Sequence, residues 1–421
     1  PILEIAVKNF LENQSFQADF KHFEKSNRLW LDDFAEFMAI KEHFGNQALQ
    51  KWDDKKAVAR DPKTLEKYRT MLAEQIQYFK VTQYFFFKQW GELKDYANQK
   101  GIKIIGDMPI YVAADSVEVW TKPELFQLDK ERNPFFVAGV PADQFSATGQ
   151  LWGNPLYAWK EHKKQGYAWW IHRIEESFKI YDVLRIDHFK GFSDYWQVDG
   201  KADIAKYGSW QPGPGYDLFK AVKEQLGDLP IIAEDLGNID DKARKLLADC
   251  NYPGMKILQF GFEDVSGKSL DSPHYCIPHS IVYTGTHDND VTNGWYNGLT
   301  EQQQQYINDY THRSEDESIC QAMIRQLFAT VSNTAIATMQ DVLDLPTSSR
   351  MNVPSTIGGN WQWRMQQSDL TQDKKDFLAK MTTLYQRANQ ENPMIKFSTF
   401  VKNETNKSLD QLSDKETYIQ L

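Results

Sequence analysis

Cysteine is scarce. Cys250, Cys276 and Cys320 are the three in the chain, odd in number and scattered. They build no disulfide framework and no Cys/His metal box, and they suit a reducing cytoplasm. No apolar run comes near the roughly 18 residues that a membrane span requires. No block of Lys or Arg is present, and 58 acidic against 48 basic residues leave a formal net charge of -10. Nucleic acid and anionic membrane surfaces are poor partners for such a chain. Pro1-Ile2-Leu3-Glu4 shows no signal peptide. A glycine-rich phosphate turn is missing, which weighs against a doubly wound nucleotide-binding sheet. Internal repeats and low-complexity tracts are also missing.

Aromatic residues, by contrast, are plentiful: 14% of 421 residues, with 13 Trp. Their faces suit stacking on sugar rings as well as core packing. Residues 1–100 read as a helical part. Trp30, Phe34, Phe37 and Met38 share one helical face with a stop at Gly45. The spacing from Leu65 through Phe79 continues to a cap at Gly101. The period then changes to short apolar strands, all but the fourth ending in acid: Ile102–Asp107, Val183–Asp187, Ile231–Asp235, Lys256–Gly261, Ile281–Asp288 and Ala335–Asp341. Helical patterns at Tyr216–Leu226 and Asp240–Ala248 separate some of them. Strand–helix alternation predicts an α/β fold with a parallel sheet. Acids at strand C-termini predict a (β/α)8 TIM-type barrel with helical and loop insertions, whose site lies at that face. The barrel spans 101–370, with an insertion at 113–178. Within it Leu125–Gly139 reads as a hairpin turning at Asn133-Pro134, and 141–155 reads as a lid loop. Residues 371–421 form a C-terminal helical segment. Six strands fall short of eight, so the start of the barrel is expected to be absent from the given sequence.

Three strand ends carry chemistry: Arg185-Ile186-Asp187-His188, Ala233-Glu234-Asp235 and Thr286-His287-Asp288-Asn289. Residues two apart on a strand face one side, so Arg185 lies beside Asp187 and favours its ionised form. Glu234 ends a buried apolar strand without a basic neighbour, and burial raises a carboxylic acid's pKa. One ionised and one protonated carboxyl across a cleft are the machinery of glycoside cleavage. Asp187 is then the nucleophile, Glu234 the general acid and base, and Asp288 the third acid, stabilising a positively charged transition state, with His287 adding a hydrogen bond. Each acid taken alone commonly caps a helix, and Arg185–Asp187 alone is equally a structural ion pair. Three such acids on successive apolar strands favour the chemical reading.

These three motifs resemble the conserved regions of the α-amylase clan. Gly106-Asp107-Met108-Pro109-Ile110-Tyr111, Pro141-Ala142-Asp143 through Trp152-Gly153-Asn154-Pro155, Asn352-Val353-Pro354 and Gly359-Asn360-Trp361 resemble glycoside hydrolase family 77, the amylomaltases or 4-alpha-glucanotransferases. The likeness runs from about residue 28 to about 365. It implies transfer of α-1,4-glucan segments between maltooligosaccharides, donor and acceptor alike, with no cofactor and no metal. It also implies Arg185, His287 and Asp107 at the donor subsite, and Trp152 and Asn154 on a flexible covering loop. Tyr111, Asp143, His188 and Asn289 complete the substrate-binding set. The family's first barrel strand and an aromatic, Ser-rich motif have no counterpart here, which matches the strand count. An amylase-type hydrolase using the same acids is the alternative, and a non-catalytic glycan-binding protein a further one. Retention of configuration calls for Asp187 and Glu234 carboxyls about 5–5.5 Å apart.

Overall fold

The computed structural model describes residues 2–13, 17–142, 146–237 and 239–387. The chain divides into two compact units, one ending at Met255 and one beginning at Lys256. The described residues before Ile105 include helices Ile2–Glu12, Gln17–Ser26, Arg28–His43, Pro62–Met71 and Ala73–Gln99. Helix Arg28–His43 buries Leu31, Ala35, Phe37 and Ile40. Trp30 is only half-buried, because it turns to Phe23 and Phe87 instead. Gly45 follows the helix in the left-handed region, where a Cβ is disfavoured. Asp61 caps the next helix through the Thr64 N–H, with Pro62 as its first residue. The apolar pattern from Leu65 to Phe79 is not one helix. Leu72 leaves helical dihedrals and separates two.

Among the described residues ten strands follow: β1 (Ile105–Met108), β2 (Phe136–Val140), β3 (Gln150–Pro155), β4 (Val183–Ile186), β5 (Asp194–Asp199), β6 (Gly208–Pro212), β7 (Ile231–Ala233), β8 (Gly254–Ile257), β9 (Ser280–Tyr283) and β10 (Thr334–Ile336). In the first unit β1, β4 and β7 form a parallel sheet with β4 in the middle. A second three-stranded sheet has the order β10-β9-β8, with β10 parallel to β9. Leu184, Ile186, Ile231 and Ala233 are buried with Trp170 and Ile174 of helix Ala168–Ile180 and Leu218, Phe219 and Val222 of helix Tyr216–Leu226. An apolar strand with a helix on its face is the physical content of the expected alternation.

Four expectations need correction. Lys256–Gly261 is not a strand. Strand β8 ends at Ile257, and Leu258–Glu263 is a helix whose Gln259 donates to the Asp290 carbonyl at 2.9 Å. A short apolar run cannot be assigned to strand or helix by period alone. Ala335–Asp341 is strand only to Ile336. Thr338 then caps a short helix, Met339–Val342, and Asp341 accepts from the Thr284 hydroxyl at 2.6 Å and the Thr292 N–H at 2.8 Å. That acid is structural.

The hairpin after Leu125 turns at Asp129–Arg132, with Leu128 bridged to Pro134. Asp129 Oδ1 accepts the N–H groups of Glu131 and Asn133, and Arg132 is left-handed. Pro134 lies on the returning side because the Asp129 side chain closes the turn before it. Finally, Gln150–Pro155, the second half of the stretch read as a lid, is strand β3. It pairs with β2 in an antiparallel sheet of order β3-β2-β5-β6. That sheet was not anticipated. Its Gly- and Pro-rich edges read as loop, yet Trp196 and Trp210 sit opposite each other across β5 and β6.

Candidate active site

The register of β1 and β4 sets Asp107 beside Arg185, on one face of the sheet. Arg185 Nη1 donates to both Asp107 oxygens at 2.7 Å and to Asp187 Oδ1 at 3.3 Å, while Nε faces Met255 Sδ at 3.4 Å. The expected Arg185–Asp187 pair is therefore present, but Asp107 is the nearer partner. The guanidinium is buried. Burial works against its charge, and the carboxylates of Asp107, Glu234 and Asp187 outweigh that, so its pKa is raised.

Glu234 follows β7. Its N–H donates to the Ile186 carbonyl and its own carbonyl accepts from Phe189 N–H, both at 3.0 Å, which laces it to the segment after β4. Its Oε2 accepts the His188 N–H at 2.5 Å. Burial, then the negative charge of Asp187, pushes the Glu234 carboxyl from an ordinary 4.5 up to about 7. The Arg185 charge and the His188 bond act the other way and do not win. His188 aims its N–H from a left-handed backbone, φ 47°. Burial first, and then the Lys190 charge, pulls its imidazole down to about 4, so the ring is neutral at pH 7. One carboxylate held beside a cation and one carboxyl kept protonated near neutrality are the two states that displacement with acid assistance requires.

Aromatic residues stand around this pair. The Trp152 ring meets His188 edge-on at 4.8 Å and lies 6.3 Å from Tyr111, which stacks on Tyr157 at 5.8 Å. Burial raises the Tyr111 hydroxyl well above its ordinary range. Asn154 Nδ2 donates to the Val112 carbonyl at 2.9 Å and fastens β3 to the segment after β1. Asp235, next to Glu234, is used structurally: its Oδ1 accepts the Met255 N–H at 2.7 Å. The first unit thus brings Asp107, Tyr111, Trp152, Asn154, Arg185, Asp187, His188 and Glu234 together. Asp143 lies outside the described residues.

Gly191 closes the turn behind His188. A Cβ there would stand 2.7 Å from Ile110 Cδ1 and 3.1 Å from His188 Cδ2. Gly191→Ala is expected to destabilise the protein by about 1–3 kcal/mol through overpacking. Urea unfolding checks it, and a midpoint unchanged from wild type would refute the crowding.

In the second unit the segment after β9 carries Asp288. Its Oδ1 accepts from Asn352 Nδ2 at 2.6 Å and its carbonyl from Arg350 Nη2 at 2.5 Å. His287 Nε2 lies 3.4 Å from Asp288 Oδ2, and its ring is 5.0 Å from that of Trp361. Asn289 Oδ1 accepts both the N–H and the hydroxyl of Thr286, at 2.8 and 2.9 Å, and so shapes the loop. Thr286, His287, Asp290, Gln340 and Trp361 help line a cavity of about 200 Å³. Arg350, Asn352 and Trp361 had no role from sequence. Asn352 and Trp361 stood in the family-like motifs, but nothing there pointed to Asp288, 64 residues before Asn352.

Among the described residues one trio has metal-ligand type: His172, Glu175 and Glu176, with ligand atoms within 4.8 Å of one another. It is a helix-surface cluster at i, i+3 and i+4.

The family model of glycoside hydrolase family 77, described as 4-alpha-glucanotransferase, matches residues 1–371. The chain is 51% identical over 391 residues to a 4-alpha-glucanotransferase of Streptococcus pneumoniae, covering 93% of this chain and 77% of that protein. It is 43% identical over 390 residues to one from Clostridium butyricum, covering 92% and 79%. Among solved structures, the amylomaltase from Streptococcus agalactiae in complex with acarbose superposes with a TM-score of 0.91 at 57% identity, covering 92% of this chain and 78% of that one.

Proposed function

Since the chain belongs to glycoside hydrolase family 77, and is thus a 4-alpha-glucanotransferase acting on glucans, we propose that it moves α-1,4-glucan segments between maltooligosaccharides by retaining double displacement. The observation that carries the mechanism is the pairing of an Arg185-held Asp187 with a Glu234 carboxyl protonated up to a pH of about 7. Asp187 attacks the anomeric carbon of the donor while Glu234 gives its proton to the glycosidic oxygen. The bond to the leaving chain breaks and a glycosyl ester of Asp187 forms. Glucose or a short maltooligosaccharide departs. The acceptor's hydroxyl then gives its proton to the Glu234 carboxylate and displaces Asp187 from the anomeric carbon. Asp288, held by Asn352 and Arg350, stabilises the positive charge that develops, with His287 beside it.

Asp107, Tyr111, Asp143, Trp152, Asn154, Arg185, His188, His287 and Asn289 make up the substrate-binding set in this reading. The acarbose complex of the Streptococcus agalactiae relative supports a site in this fold that takes such a ligand. That relative and the two three-stranded sheets also support a (β/α)8 barrel with a helical part at 1–100. Of the C-terminal helical segment expected at 371–421, helix Gln372–Leu384 is present, and residues 388–421 lie outside the described residues. A cytoplasmic setting is supported by three free cysteines, and no described helix is long and apolar enough to cross a membrane. The relatives set the amylase-type hydrolase aside. Incubation with maltotriose tests the function. A ladder of longer oligosaccharides is expected, whereas glucose and maltose alone would overturn transfer.

A further inference from the structure

Lys190 lies three residues after Asp187 and is 8% exposed. Its ammonium is bound to Asp194, the first residue of β5, and to Asp240 Oδ2 at 2.7 Å, and it stands 4.5 Å over the Trp210 ring of β6. Asp240 is the N-cap of helix Asp241–Cys250, the helix that follows Glu234; its Oδ1 accepts the Ala243 N–H at 2.9 Å. One buried cation therefore joins three pieces: the segment after β4, the antiparallel sheet, and the start of the helix after β7.

We propose that Lys190 is a positioning residue for the transfer reaction. Its ammonium clamps the segment that bears Asp187 and His188 to the segment that bears Glu234. This rests on the reading of Asp187 and Glu234 as the reacting pair. The two segments already meet at the His188–Glu234 and Phe189–Glu234 bonds. The first runs from the His188 N–H to the Glu234 side chain and the second from the Phe189 N–H to the Glu234 carbonyl, both at the start of a short 3₁₀ turn, Phe189–Phe192, with His188 in a left-handed conformation. A turn of that kind holds its geometry only when its surroundings over-determine it. Lys190 sits inside this turn, and its two acids lie on elements packed to either side. Taking the Lys190 ammonium and the Asp194 carboxylate out of water is costly, while Asp240 stays partly exposed, and such a group is a poor device for stability alone. Its use here is to fix one relative placement of two chain segments.

The test is maltotriose transfer by the full chain, with kcat and KM measured separately and Tm recorded beside them. Lys190→Met is expected to lower kcat by on the order of tenfold to a hundredfold, the scale of a small misplacement of reacting groups. KM should stay within about twofold, because no ground-state contact with glucan is lost. Lys190→Arg should restore part of kcat. Asp240→Asn keeps the cap through Oδ1 and removes one of the two charges opposite Lys190, the one on the segment after Glu234. It should lower kcat as well, and the double variant should be no worse than Lys190→Met, because both act through one contact. A folded Lys190→Met enzyme with wild-type kcat would overturn the clamp, as would a higher KM at unchanged kcat. If Lys190→Met does not fold, Asp240→Asn decides by the same criterion. Glu234→Gln run alongside separates the two readings: turnover there removes the site assignment, while its loss together with a normal Lys190→Met enzyme removes only the clamp.

Discussion

Glu234→Gln is expected to lower kcat with maltotriose by about 10²–10⁴-fold, the usual contribution of a positioned acid and base. The amide keeps the size of the side chain and can still face the His188 N–H, but it has no proton to give to the leaving oxygen. Glucan binding should survive. Wild-type activity should fall as pH rises through about 7, where the Glu234 carboxyl loses its proton. The same shift makes a stability claim whose sign is opposite to that of an ordinary salt-bridged acid. Folded Glu234 keeps its proton up to a pH of about 7, against an ordinary 4.5 for the unfolded chain. Its contribution to stability is fully present below 4.5 and is lost as pH rises through 7. At pH 8 the wild type holds a buried carboxylate next to Asp187, and Gln does not. The variant's Tm should therefore exceed that of the wild type at pH 8, with a smaller margin at pH 5. An equal margin at both pH values would show that the carboxyl is not shifted.

Arg185→Met is expected to lower stability and to abolish turnover as well. It leaves the carboxylates of Asp107 and Asp187 side by side with no cation, beside Glu234. Removing one partner of a fully buried ion pair costs about 3–5 kcal/mol, but the Asp107 and Asp187 side chains are 41% and 42% exposed, so the expected loss is about 1–3 kcal/mol. Urea unfolding at pH 7 measures this, and a loss under about 1 kcal/mol, the value of an exposed pair, would contradict the geometry. Arg185→Lys is not a safe replacement. A single ammonium is a point charge. Nη1 alone makes all three carboxylate contacts, but lysine has no counterpart to the planar Nε that sits beside Met255 and fixes where that nitrogen lies. Most of the loss of kcat should therefore remain in that variant.

Much of this site was legible in order along the chain. Asp187, Glu234 and Asp288 each follow an apolar strand, and a strand's ending can be read from a run of apolar residues that breaks into charge. The Arg185–Asp187 pair follows from a two-residue period. The boundaries were less legible. Ile257 through Phe262 is apolar except for Gln259, which fits a strand face as well as a helix, so the change from β8 to helix at Leu258 has no local sign. The antiparallel sheet was hidden because Gly149, Gly153 and Pro155 make β3 look like a loop. What makes β3 a strand is its pairing with β2, and that partner is supplied by the fold.

The sequence by itself determined the class of the protein, the acids and the sugar-handling family they resemble, because those depend on residue type and on spacings of two to four residues. Tertiary structure alone decided which groups set the state of each acid. Asp107 reaches Arg185 across 78 residues, His188 reaches Glu234 across 46 and Lys190 reaches Asp240 across 50. A pKa near 7 at Glu234 is the sum of burial and of charges brought close by parallel strand pairing. No stretch of chain contains that sum, since both the exclusion of water and the distances between charges exist only once the strands lie side by side.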